Sequence, residues 1–156
     1  MRSLFWIWWF LIYLTVPVAR DALAYLREAG LLPWFDQVLK VGLLSGALAA
    51  GLWLVKRGPQ ALPFLGFLIF LVWWTWQLPF PEEKVHLFEY VVLGYLAIRT
   101  FGSPWKALAL VFLAGVGDEV FQYFWPNRVF DPRDIFLNTL SGSGGVWFGY
   151  FSSASS

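Results

Sequence analysis

The chain has 156 residues, of which 59 % are hydrophobic, 21 % aromatic and only 13 % charged, with a formal net charge of +1 and no cysteine. About a quarter of a soluble domain is charged, and a core of this length cannot hide 11 Trp, 16 Phe and 6 Tyr. The balance excludes a soluble domain and a nucleic-acid-binding surface, and the missing cysteines exclude disulfides and thiolate metal sites; a bilayer is the solvent that accepts such a surface.

Crossing the hydrocarbon takes ~20 apolar residues. Met1 and Arg2 followed by an apolar stretch imitate a secretion signal. The stretch is heavy with Trp and Phe, however, and Val18-Ala19-Arg20 is a poor cleavage site. An uncleaved first helix from Leu4 to Ala19 is therefore expected, kinked at Pro17, with Arg20 to Gly30 as a short amphipathic interfacial segment. The second helix is expected from Trp34 to Val55, closed by Lys56-Arg57-Gly58-Pro59, and the third from Ala61 to Leu78, ending in the aromatic belt Trp73, Trp74, Trp76. The fourth covers Glu83 to Ile98, and Gly102-Ser103-Pro104 separates it from the fifth, Trp105 to Phe124, ended by Pro126. A sixth, Ile135 to Phe151, is diluted by Asn138, Thr139 and a run of Ser and Gly. The expected fold is thus all-α: a single polytopic membrane domain over residues 1–156, a bundle of about six transmembrane helices.

Charge placement adds a polarity to the bundle. With the N-terminus cytoplasmic, the inner end holds Arg2, Lys56, Arg57, Arg99 and Lys106 and no acid. The outer end holds all ten carboxylates, Asp21, Glu28, Asp36, Glu82, Glu83, Glu89, Asp118, Glu119, Asp131 and Asp134. Arg20, Arg27, Lys40, Lys84, Arg128 and Arg133 lie among them. The bare bases of the inner end favour this orientation.

The chemistry gathers in the second half of the chain. His86, Glu89 and Tyr90 share one face of the fourth helix, and Asp118, Glu119 and Gln122 share one face of the fifth, with Gly115 a turn deeper. Glu89 lies ~10 Å along its helix from Glu82, and Glu119 a similar distance from Pro126, so the antiparallel connection lets the two acids meet at one depth. Asn127, Arg128, Asp131, Arg133, Asp134 and Asn138 follow. Ionisable groups inside a span cost at least ~2.5 kcal/mol each and are functional candidates by default. Arg128 and Arg133 are the expected partners of the buried carboxylates.

Several readings fit these residues. One is an ion-pair network that pins three helices in register. Another is a metal held by His86 with two or three carboxylates, although no closely spaced ligand motif exists. A third uses Asp118 or Glu119 as a general base, with no nucleophile beside it. In a fourth, Arg128 and Arg133 receive a phosphate or carboxylate head group. Ser141, Gly142, Gly145 and Gly149 read as small residues for close helix packing, and the Trp belts as interface anchors.

Three motifs in order resemble the VanZ-like family: Glu83-Lys84-Val85-His86-Leu87-Phe88-Glu89-Tyr90, then Asp118-Glu119-Val120-Phe121-Gln122, then Asn127-Arg128-Val129-Phe130-Asp131-Pro132-Arg133-Asp134-Ile135-Phe136-Leu137-Asn138. The likeness runs from Pro81 to Gly149, and the first 80 residues carry no motif of it. It makes His86, Tyr90, Glu119, Gln122, Arg128, Asp131, Asp134 and Asn138 the signature polar positions. Two departures stand out. The second signature acid is doubled as Asp118-Glu119, where spacing to Gln122 selects Glu119, and Pro132 interrupts the third motif, where it bears on the start of the sixth helix. The resemblance implies a bacterial cell-envelope protein of the inner membrane, from a family named for a member linked to glycopeptide (teicoplanin) resistance, with no reaction assigned and no cofactor. Three functions follow as expectations. The first is recognition or remodelling of an anionic envelope component, such as a lipid-linked precursor, at the outer leaflet. The second is an intramembrane hydrolase or transferase using Glu119 and His86, and the third a structural subunit.

Overall fold

Proline sets most of the helix starts. The computed structural model describes residues 1–56, 58–124 and 130–153, the side chains of Arg20 and Gln60 excepted; Arg57, Pro126, Asn127 and Arg128 lie outside the described residues. Among the described residues there are six α-helices, α1 (Arg2–Glu28), α2 (Leu32–Val55), α3 (Leu62–Gln77), α4 (Pro81–Phe101), α5 (Pro104–Tyr123) and α6 (Pro132–Ser153), and one 3-10 turn at Pro59–Ala61. No strand occurs among the described residues. Pro33, Pro63, Pro81, Pro104 and Pro132 each occupy the first or second position of a helix, where the missing N–H has no partner to lose. Glu83 Oε2 accepts the Phe80 N–H at 3.4 Å, and Ser103 Oγ accepts the Lys106 N–H at 3.5 Å at the start of α5. Between them, α4 ends on Gly102 at φ 69°, the left-handed position glycine tolerates.

The expected interfacial segment at Arg20 to Gly30 is not a separate element. α1 runs unbroken for 27 residues through Pro17. Phe5, Ile12, Val16 and Leu23 are all buried along one face of it, so packing continues past the proline and keeps the helix together. Pro132, for its part, is itself the first residue of α6, which moves that helix start three residues ahead of Ile135.

At the centre, α4 packs most extensively on α6, and α5 packs on both. The reason is glycine. A Cβ on Gly94 would collide with the Gly142 carbonyl, and one on Gly145 would collide with the Val91 carbonyl and stand 2.8 Å from Tyr95 N. The two backbones therefore touch, which is how membrane helices gain van der Waals contact without a hydrophobic drive. α1 lies against α4 and α5, and the α2–α3 pair covers α4 and α6. Phe5 meets Phe101 edge-on at 5.2 Å, and Arg99 Nη1 donates to Ser153 Oγ at 2.6 Å, so one end of the bundle collects the start of α1 and the ends of α4 and α6. The carboxylates lie toward the opposite end.

Two helices, Arg2–Ala19 within α1 and Leu32–Val55, are long and apolar enough to cross a bilayer. α3 is equally apolar but has only 16 residues, and α4, α5 and α6 are long enough but carry the polar cluster. The surface is strongly apolar: Trp34 is 73 % and Ile69 71 % exposed, a pattern suited to lipid contact.

Gly145→Ala is expected to lower the thermal midpoint in detergent, costing about 1–3 kcal/mol through overpacking. Gly66→Ala, where a Cβ meets nothing within 4 Å, should be neutral or raise it by up to about 1 kcal/mol. Equal midpoints for the two variants would refute the α4–α6 contact.

Candidate functional site

Helical periodicity places His86, Glu89 and Tyr90 on the inward face of α4, and Asp118, Glu119 and Gln122 on that of α5. All but His86 are buried, with Tyr90, Asp118 and Glu119 fully so. His86 Nδ1 stands 3.4 Å from Glu89 Oε2 and 3.6 Å from Asp118 Oδ2. The imidazole is thus flanked by one carboxylate from its own helix and one from the next. Asp118, rather than Glu119, is the α5 acid that meets it.

Glu119 turns toward α6. Its Oε2 accepts the Asp131 backbone N–H at 2.8 Å, while Asp131 Oδ1 accepts the Arg133 N–H at 2.9 Å. Two acids in relay thereby satisfy the open donors ahead of and within the first turn of α6. One turn on, Asn138 lies beside Gly115, whose Cβ would be 3.5 Å from that of Asn138. The Tyr90 hydroxyl, Glu119 Oε1, Gln122 Nε2 and Asn138 Nδ2 find no hydrogen-bond partner among the described residues. Buried polar atoms of this kind are uncommon in folded proteins.

Arg133 is half-exposed and pairs at 3.4 Å with Glu83, whose side chain is only 11 % exposed. Its long side chain keeps the guanidinium in water, where the desolvation cost is lowest. Arg128 lies outside the described residues. Asp134 sits in the first turn of α6, where the helix dipole favours an acid.

Three contributors come from α1, which carries no motif. Trp8 Nε1 donates to the Glu89 carbonyl at 2.9 Å, Thr15 Oγ1 stands 3.1 Å from Glu89 Oε1, and the Tyr13 hydroxyl donates to the Ala114 carbonyl at 3.2 Å. Trp8 is therefore more than an interface anchor. The available signal was the spacing of Trp8, Ile12 and Thr15 on one helical face. A further group, also unforeseen, lies at the acid-rich end. Lys84, 1 % exposed, binds Asp36 Oδ1 at 2.6 Å and the Leu78 carbonyl at 2.8 Å. Lys40 joins the same Asp36 at 2.7 Å. This cation ties the start of α4 to the start of α2 and the end of α3.

A cavity of about 240 Å³ opens between α1, the start of α2 and α4, and Thr15, Glu82, His86 and Glu89 line it together with apolar residues such as Val16, Ala22, Leu26 and Phe35. A larger cavity, about 530 Å³, lies on the other side of α4 among α2, α3 and α6 and is almost wholly apolar. Among the described residues no group of three or more His, Asp or Glu is arranged to hold a metal ion.

An all-helical fold with apolar outer faces and acids gathered around one histidine defines a membrane-type protein with a buried polar site. The chain belongs to the VanZ/LLP1 family, whose model matches residues 4–152. The match extends through α1, α2 and α3, so the family likeness is not confined to Pro81 to Gly149. Neither a curated protein nor a solved structure matches the chain.

Glu119→Ala is expected to cost about 0.5–1.5 kcal/mol, the net worth of a hydrogen bond, read as a lower thermal midpoint. Glu119→Gln keeps an acceptor oxygen and should retain most of that stability; if it falls as far as Glu119→Ala, the Asp131 contact is not what Glu119 provides. Lys84→Met should destabilise by about 2 kcal/mol, less than a fully buried pair because Asp36 keeps Lys40. Combining it with Asp36→Asn should restore part of the loss, and a double variant no better than the single one would contradict the pairing.

Proposed function

We propose that this chain is a six-span protein of the bacterial cytoplasmic membrane, acid-rich end outward, that binds the polar end of an amphipathic envelope molecule in the pocket between α1 and α4. A lipid-linked precursor is the kind of molecule meant. The observation that carries this reading is that Thr15, Glu82, His86 and Glu89 line a pocket whose remaining walls are apolar. Such a pocket suits a ligand that is polar at one end and hydrocarbon along its length. The spans are supported by six helices of 16 to 27 residues, and the orientation by the acid-free basic end.

A second reading has one observation in its favour. His86 between Glu89 and Asp118 is a suitable arrangement for moving a proton, as an intramembrane hydrolase or transferase requires. Glu119, engaged at the start of α6, is then a positioning residue and His86 the acid–base group.

Purified protein should retain an envelope lipid through delipidation, and Ala22→Trp, which fills the pocket, should lose it while keeping the native thermal midpoint. Equal lipid in the two, measured by mass spectrometry of extracts, would refute the binding reading. Under the enzyme reading, His86→Gln retains the lipid but stops its turnover. Topology is testable because the chain has no cysteine: Lys56→Cys and Arg133→Cys should label from opposite faces of sealed vesicles, and labelling from one face would overturn the six-span arrangement.

A further inference from the structure

Glu82, His86 and Glu89 stand at i, i+4 and i+7 on α4, so they descend one stripe of the helix from its first turn into the pocket. Glu89 is only 9 % exposed, and burial of a carboxylate without donors is costly. Yet donors are scarce. Glu82 Oε2 and Glu89 Oε2 accept no hydrogen bond among the described residues. The His86 contact to Glu89, at 3.4 Å, is within ion-pair range but lacks hydrogen-bond geometry. Thr15 has a single hydroxyl hydrogen, and it stands 2.6 Å from the Ile12 carbonyl and 3.1 Å from Glu89 Oε1. It can serve only one of them at a time.

No described lysine or arginine lines the pocket. Lys84 and Lys40 are held by Asp36, and Arg133 by Glu83. The pocket therefore presents two carboxylates against a single imidazole. Apart from Thr15, its opposite wall, from α1 and Phe35, is hydrocarbon. A group that supplies positive charge and several N–H donors from a small volume would complete it, and a primary ammonium carries three such donors.

The geometry points to a primary amine as the group this pocket recognises: the ammonium of a bilayer-resident amphiphile set between Glu82 and Glu89, with its chain along Val16, Ala22 and Leu26 of α1. This rests on the pocket reading proposed above and names the ligand class for it. The cavity of about 240 Å³ holds the head and the first part of the chain, and the remainder stays in lipid.

The test uses the full chain in phosphatidylcholine nanodiscs, with labelled dodecylamine, dodecanol and dodecanoate as probes and Ala22→Trp as the filled-pocket reference. Dodecylamine is expected to be retained saturably and at least about tenfold more tightly than dodecanol, the ratio expected of one charge-assisted bond. Dodecanoate should not be retained above the reference. Glu89→Gln and Glu82→Gln should each weaken the amine about tenfold while leaving dodecanol unchanged. Glu82, in the first turn of α4, keeps the test decisive if Glu89→Gln fails to fold, as its thermal midpoint would show. Dodecanol or dodecanoate bound as tightly as the amine would overturn the amine assignment and leave the pocket standing. All three probes behaving alike in wild type and Ala22→Trp would overturn the pocket reading and this inference with it.

Discussion

Contact between the backbones of α4 and α6 governs where everything else in the molecule can be. Glycines at 94, 142 and 145 remove the side chains that would hold the helices apart, and the pair closes to direct main-chain contact. In lipid, where apolar surface gains nothing by leaving apolar solvent, association depends on such close packing and on polar contacts. With α4 and α6 locked, α5 has one groove to fill, and its polar face must look inward at both. Asp131, just ahead of α6, then lies close enough to α5 for Glu119 to accept its N–H at 2.8 Å. The polar site is in this sense a consequence of glycine placement.

Within that frame the adjacent acids Asp118 and Glu119 take separate tasks. Neighbouring residues on an α-helix point about 100° apart, so one side chain reaches His86 on α4 while the other reaches the start of α6. A single acid could not do both. The same directionality divides the bases. Lys84 points from α4 toward the α2–α3 end and is consumed by Asp36 and the Leu78 carbonyl, whereas His86, two residues on, is left as the basic group of the site.

α1 gives the site its third side. Its buried stripe of Phe5, Ile12, Val16 and Leu23 lays the helix across α4 and α5, and Trp8 and Thr15 then bind Glu89 through its carbonyl and its carboxylate. The VanZ/LLP1 match, from residue 4 to 152, includes this helix. The motif-poor first helix contributes the wall of the pocket, and a wall is specified by size and apolarity, which many residue types satisfy.

Helix number, order and most boundaries were legible in the sequence, because proline, glycine and hydropathy act locally: Pro81, Pro104 and Gly102 mark their helix ends wherever the chain goes. Membership of His86, Glu89, Asp118 and Glu119 in one polar region was legible for the same reason, since helical period and antiparallel connection place them together. The separate segment expected after Pro17 does not form because burial on either side of the proline outweighs its local effect, and which carboxylate Arg133 meets was set by the approach of α6 to the start of α4. Which acid meets His86, the burial of Lys84 on Asp36 and the part played by Trp8, Tyr13 and Thr15 depended on how helices distant in the chain are rotated and pressed together. Side-chain partnership across 48 to 101 residues is a property of packing, and only the tertiary structure decided it.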